Sequence, residues 1–536
     1  VSYNDLSFDP NDRWFPVPGS AMRWAVQVFT LSNVYGLGTA ARVTTAPDET
    51  AVTADELTWG AGRFTAPGRV GVRLRRTADG TWLATIEAAH AEPVKAVKLL
   101  LRDLPAQTGT GWWHAGTEVG TAHRPEPYRP VRFDYPSPHG WTTPWVAGGE
   151  GPALTLSVRD SQVRGARFFA HTPPWAGGDT IAEVVCDQDA RQYGDFTAPP
   201  IRLRWGTDVA ADFAQHMEHV ADTYRLVPWH ERPDVPAWAR RIRLVLNLHG
   251  QHWTGAVFNT YDEMAAALRF TVRHIDGDRV LAFLPGWEGR YYFDYPHFAP
   301  AEALGGPAGF GRLADTAAET GVTLLPMFGA HGANTQVYPQ WSEAALRNPT
   351  DRYVDLLNKP DWDGDRTGEQ DQVFLNTGHP GFRALLVDQV SALVDRYGLR
   401  AAFFDTTGNW FNDPRYNLYE GYRALAAELS ARHPGLLLAG EGWFDALLGV
   451  FPVNQSVTGI GRSVRFPQLL TRYGRAVQHM HDGAPGSGST GVFEAGWRPA
   501  ETGPPAPGHL PSIGVVADTL AVHAGEFAAR IAAARG

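Results

Sequence analysis

The chain has almost no cysteine: Cys186 stands alone. No intrachain disulfide can form, and no site built on several thiolates can be assembled. A reducing compartment places no strain on such a chain, and a cytoplasmic location is the expectation. Absent too is any run of about 18 apolar residues, so no membrane-spanning helix is expected. The opening stretch "VSYNDLSFDPNDRW" is polar and lacks the apolar centre of a signal peptide; a signal removed ahead of Val1 would leave no trace. Lysine and arginine are scattered without a basic stripe, and the formal net charge is -10. Both features argue against a nucleic-acid partner. Oligomeric state has no signature in the sequence.

What is present is apolar and aromatic. Hydrophobic residues make up 43% of 536 positions, enough to bury the cores of two or three domains. Nineteen tryptophans supply either core packing or flat faces suited to the C–H faces of sugars.

Residues 1 to 210 read as short strands separated by turns. "RVGVRLRRTADGTWLATIEAA" holds two alternating runs joined across "TADG", a hairpin pattern. "AVKLLLRDL", "ALTLSVRD" and "IRLRW" continue it, and an all-β sandwich is the expectation. In residues 211–237 the texture changes: Phe213, Met217, Val220 and Tyr224 recur at helical spacing. This reads as a connecting helix, followed by the Pro-rich linker "ERPDVPAW".

From residue 238 to 536, strand and helix alternate. "RIRLVLNLHG", "RVLAFLPGW", "VTLLPMFG", "LRAAFFD" and "LLLAGEGW" are near-continuous apolar runs, the kind parallel sheets bury on both faces. Helical patterns lie between them. "SVRFPQLL", "GVFEAGW" and "SIGVVADTL" are expected as strands six to eight, with "VHAGEFAARIAAARG" as the closing helix. The expected fold is an α/β (β/α)8 TIM barrel. A doubly wound open sheet is disfavoured, because no Gly-x-Gly-x-x-Gly turn follows the first strand.

Barrel active sites lie at the C-terminal ends of the strands. Reading past each apolar run gives Asn247, His249, His252 and Trp253; then Trp287, Glu288, Arg290 and Asp294; then His331 and Asn334. The fourth gives Asp405, Asn409 and Trp410, the fifth Glu441 and Trp443, and the later ones Glu494, Trp497 and Asp518. Carboxylates, amides, imidazoles and indoles around one mouth match the needs of a carbohydrate: polar groups for hydroxyls and aromatic platforms for C–H faces. Glycoside hydrolysis requires two carboxylates flanking the bond to be broken. Asp405 and Glu441 end consecutive strands. Neighbouring strands lie about 4.8 Å apart, compatible with the roughly 5–5.5 Å carboxyl separation of a retaining mechanism. Trp443 stands ready as an apolar wall for Glu441. A strand-end acid also serves simply as a cap of the following loop.

"AAFFDTTGNW" and "LLLAGEGW" resemble the fourth- and fifth-strand catalytic segments of the alpha-amylase clan and of endo-alpha-N-acetylgalactosaminidase-like barrels. "GWEGRYYFDYPHFAP" and "NTGHPGFR" are similar to pieces of the same α-glycosidase barrels. The resemblance covers roughly residues 240 to 445 and implies a retaining α-glycoside hydrolase. It implies Asp405 as nucleophile and Glu441 as general acid/base; of the strand-end residues, His249, Trp253, Trp287, Asp294, His331, Asn334, Asn409, Trp410 and Trp443 are the expected sugar contacts. The chain departs from the clan's Asn-His-Asp segment on strand seven, offering only His481 and Asp482 in "MHDGAPG" and Glu494 in "VFEAGW". No particular sugar is therefore carried over.

Two other readings stay open. In an α-galactosidase-like barrel Asp405 keeps its role and an acid of a later strand replaces Glu441. A carbohydrate-binding barrel without catalysis is the third. No metal or other cofactor is expected. The histidines 249, 252 and 331 have no acid nearby in sequence to complete a metal site. "DWDGDRTGEQD" alternates acids like a calcium loop but has Gln372 where the twelfth-position Glu belongs.

Overall fold

The computed structural model describes residues 13–115, 123–126, 129–137, 141–149, 153–251, 255–289, 294–329, 332–350, 372–456, 466–478, 507–516 and 519–534. The chain forms two compact units, Val1–Arg225 and Leu226–Gly536.

Among the described residues, the first unit holds two antiparallel sheets, one of seven strands and one of nine. The expected hairpin is present: Phe64–Arg76 pairs with Trp82–His90 from Arg76↔Trp82 to Gly68↔His90. Its turn is held by Asp79, whose carboxylate accepts the Thr77 and Thr81 hydroxyls. The Thr77 bond is the largest influence on that carboxyl, which is lowered to about 2.

The helix Val209–Tyr224 belongs to this unit. Asp208 caps it by accepting the Ala211 amide, and Arg225 ends it in the left-handed region. Phe213, Met217 and Val220 are buried at the expected helical spacing. Just before Phe213 lies the fully buried Asp212, which accepts Arg202 Nη1 at 2.6 Å and the Trp145 indole N–H at 2.9 Å. Removing one partner of a buried ion pair leaves an uncompensated charge in a low-dielectric interior. Asp212→Ala is therefore expected to destabilise this unit by about 3–5 kcal/mol. Urea unfolding followed by tryptophan fluorescence measures it; a loss below ~1 kcal/mol would show that the pair is solvated and unimportant.

The second unit is built on parallel strands. Leu244–Leu248, Val280–Leu284, Thr323–Phe328, Ala401–Phe404, Leu437–Glu441, Val453–Ser456 and Arg475–Gln478 follow one another in ladder order. His509–Leu510 then pairs with Arg475–Gln478, and Ser512–Val515 pairs with Leu244–Leu248. Only Pro511, which has no amide hydrogen to give a ladder, separates those last two segments. The nine segments thus make a nearly closed ring.

Its interior is apolar: Val245, Leu281, Phe283, Leu325, Met327, Ala401, Phe403, Leu437, Ala439, Val453 and Val477 pack in one cluster. Helices run between the strands, each with a local reason to start or stop. Thr260 and Glu263 form a reciprocal capping box at Tyr261–Thr271. Gly321 and Gly398 end Gly306–Thr320 and Pro380–Tyr397 in left-handed conformation. Among the described residues no helix is long and apolar enough to cross a membrane.

One strand assignment needs correction. Within "SVRFPQLL" the described part is a helix, Gln468–Tyr473, opening just after Pro467; proline suits a helix start and not a central strand. The sixth strand is instead Val453–Ser456 and the next Arg475–Gln478. Both are four residues long, and the first carries Asn454 and Gln455 in place of an apolar run. "GVFEAGW" and the acidic segment "DWDGDRTGEQD" lie outside the described residues.

Candidate active site

Side chains of a strand alternate between faces with period two. Val245, Phe403, Ala439 and Val453 belong to the interior cluster. The next inward positions, toward the C-terminal end of each strand, are Asn247, Asp405, Glu441 and Gln455. The pairings place three of these at one level. Phe404 opposes Gly440, so Asp405 and Glu441 occupy the following step, and Glu441 opposes Gln455. Asp405 extends its own ladder by donating its amide to the Phe328 carbonyl at 2.9 Å. Apolar residues below and polar ones at the rim are what a filled barrel with an open mouth requires.

The turn after Asp405 is fastened to the strand of Glu441. Thr406 takes φ of +56°, a costly conformation for a β-branched residue. Its amide donates to Glu441 Oε2 at 2.7 Å. The Gly408 amide and the Thr407 hydroxyl both donate to the Glu441 carbonyl, at 2.7 and 3.1 Å. A side chain at Gly440 would meet Thr407 Oγ1 at 2.4 Å, so only glycine lets the loop approach. Gly442 follows with φ of +72° and donates its amide to Gln455. The two acids are thus tied through a turn with little freedom, the form of support a catalytic pair needs.

Tyr422 projects from the helix Leu418–Arg432 and is buried. Burial pushes its phenol well above the ordinary value, and the negative charges of Asp405 and Glu441 add to the effect. Asp405 is itself only 6% exposed, while Glu441 is half-buried.

The other expected contacts fall into three groups. Asn409 and Trp410 continue the Asp405 loop and are half-buried; the Trp410 indole nitrogen is enclosed and has no partner among the described residues. Trp443 is buried, its indole nitrogen likewise without a partner there. His249 is buried at the end of the first barrel strand, its ring 5.0 Å from Phe258.

Trp287, by contrast, is a core residue with no free face. It is fully buried against Phe310 and Phe328 and donates its indole N–H to the Met327 carbonyl at 2.7 Å. Asn334 is a turn residue: its side-chain oxygen accepts the amides of Gln336 and Val337. Asp294 is exposed.

Trp253 and His331 lie outside the described residues, as do His252, Arg290, His481, Asp482, Glu494, Trp497 and Asp518. One residue of the site escaped sequence reading: Gln455 sits on a strand too polar to be recognised. Among the described residues no three His, Cys, Asp or Glu side chains cluster to hold a metal ion.

No family model matches the sequence, and no curated protein matches it. Solved structures do. The chain superposes on the α-N-acetylgalactosaminidase NagBb of Bifidobacterium bifidum in its GalNAc complex, with TM-score 0.65 and 15% identity over 89% of this chain and 84% of that one. It is similar in the same way to a variant of the GH36 α-galactosidase AgaA of Geobacillus stearothermophilus bound to 1-deoxygalactonojirimycin (TM-score 0.51, 12% identity, 98% and 80% covered). The galactosidase domain of the α-galactosidase-sucrose kinase AgaSK matches at TM-score 0.50 and 14% identity, with 99% and 74% covered. The chain has the fold of these α-glycosidases. At such identities the likeness speaks for the fold, and the chemistry has to be argued from the residues.

Proposed function

We propose that this protein is a retaining α-glycoside hydrolase, with Asp405 as nucleophile and Glu441 as general acid/base. The observation that carries the reading is the placement of these two carboxylates at one level of adjacent strands, tied together by the Thr406 amide. Adjacent strands are about 4.8 Å apart, near the roughly 5–5.5 Å separation that direct attack on the anomeric carbon calls for. The substrate class proposed is an α-linked galactose or N-acetylgalactosamine residue, the sugars in the names of the structural neighbours. In the first step Asp405 attacks the anomeric carbon while Glu441 gives its proton to the leaving oxygen; in the second, Glu441 takes a proton from water, which displaces Asp405.

A second assignment has its own support. Glu441 Oε2 already accepts the Thr406 amide, which would suffice for a purely positioning acid. The proton donor would then come from a later strand, as in the α-galactosidase-like reading.

The test is hydrolysis of para-nitrophenyl α-galactoside and α-N-acetylgalactosaminide, with the first-formed anomer read by proton NMR. The α-anomer should appear first. Initial release of the β-anomer would overturn retention. Sugar binding without turnover on any α-aryl glycoside would favour a non-catalytic carbohydrate-binding barrel.

A further inference from the structure

Asn247 is an inward polar residue of the barrel mouth whose side chain makes no hydrogen bond among the described residues. It is only 3% exposed, and neither its Nδ2 nor its Oδ1 has a hydrogen-bond partner among the described residues. It follows Val245 of the apolar cluster on the same strand face, so the amide points into the ring. With the segments either side of Pro511 counted as one strand, three strands separate it from Glu441 in either direction around the ladder. Asn247 therefore faces the proposed acid from the opposite wall.

A buried amide without partners costs stability, and native proteins keep few such groups. Those that persist tend to lie where function requires them. Among the described residues the packing shows no structural use for this one. Leu244, Val245, Leu246 and Leu248 fill the rest of the strand, and a leucine of similar volume would fit the same place.

We infer that Asn247 is a sugar-binding and specificity-determining residue. Its Nδ2 donates to one ring hydroxyl and its Oδ1 accepts from the neighbouring one, a match to a vicinal diol. It holds the sugar across the mouth from Glu441, so that the anomeric carbon lies at Asp405. This assignment rests on the proposed glycosidase reading and adds to it the wall that grips the non-reacting side of the sugar.

The test is Asn247→Leu in the full chain. Loss of two neutral hydrogen bonds should lower kcat/KM on the α-galactoside or α-N-acetylgalactosaminide by about 10- to 100-fold. The melting temperature should rise by roughly 2 °C, because an unpaired polar group leaves the interior. A loss of activity with a lower melting temperature would mean that the amide is paired within the fold, and would overturn the inference. Unchanged kcat/KM would overturn it while leaving the glycosidase reading intact. If the wild type hydrolyses neither substrate, galactose and N-acetylgalactosamine serve as binding probes. A thermal shift in wild type that vanishes in Asn247→Leu upholds the inference without the catalytic reading; no shift in either protein ends both.

Discussion

Asp405→Asn should lower kcat on aryl α-glycosides by about 10³-fold or more, the scale seen when a group that acts as one of a catalytic pair is removed. The amide has the shape of the carboxylate but cannot form the glycosyl ester, so the two-step route is lost. The fold should tolerate the change. Asp405 holds its strand position through a main-chain bond to Phe328, and the loop beyond it is fastened by Glu441 rather than by the Asp405 side chain. An unchanged melting curve beside the lost activity is therefore part of the expectation. Azide added to Asp405→Gly supplies the missing nucleophile from the same face and should yield the β-glycosyl azide. Turnover by Asp405→Asn within tenfold of wild type would remove this residue from the reaction.

Glu441→Gln separates the two assignments of the proton donor. If Glu441 is the acid/base, kcat/KM on a sugar leaving group should fall by about 10²–10⁴-fold. A dinitrophenyl leaving group needs no proton, so its glycosylation step should be nearly unaffected. The glycosyl-enzyme should then accumulate, because no base activates water. Azide should release it as the α-glycosyl azide, attacking from the face that water uses. Glutamine still offers an oxygen to the Thr406 amide, so the tie between the strands survives the substitution. A merely positioning Glu441 would therefore leave turnover close to wild type, and the acid would have to be sought on a later strand.

Much of this architecture is written locally. The first five barrel strands, Leu244–Leu248 through Leu437–Glu441, are near-continuous apolar runs because both of their faces are buried. The helices between them carry their own stops, as at Gly321 and Gly398. Asp405 and Glu441 stand out as a pair in the sequence because each directly ends such an apolar run. The sixth and seventh strands failed the same reading. Val453–Ser456 spends two of its four residues on buried amides, so it has no apolar run to detect. The fold recognises it by its ladder partners instead.

The aromatic residues show the limit most sharply. Trp287 and Trp410 both follow a barrel strand within a short loop, and nothing in their neighbours separates them. Packing does: Trp287 turns beneath the mouth and spends its N–H on Met327, while Trp410 stays on the half-buried loop beside Asp405. The sequence by itself determined the first five barrel strands and the acids that end two of them, since burial on two faces and chain-local capping are encoded in residue type. Only the tertiary structure decided which of those side chains share one mouth. Ladder register and loop direction depend on partners far away in the chain: it took the ring of strands to set Gln455 beside Glu441 and Asn247 opposite.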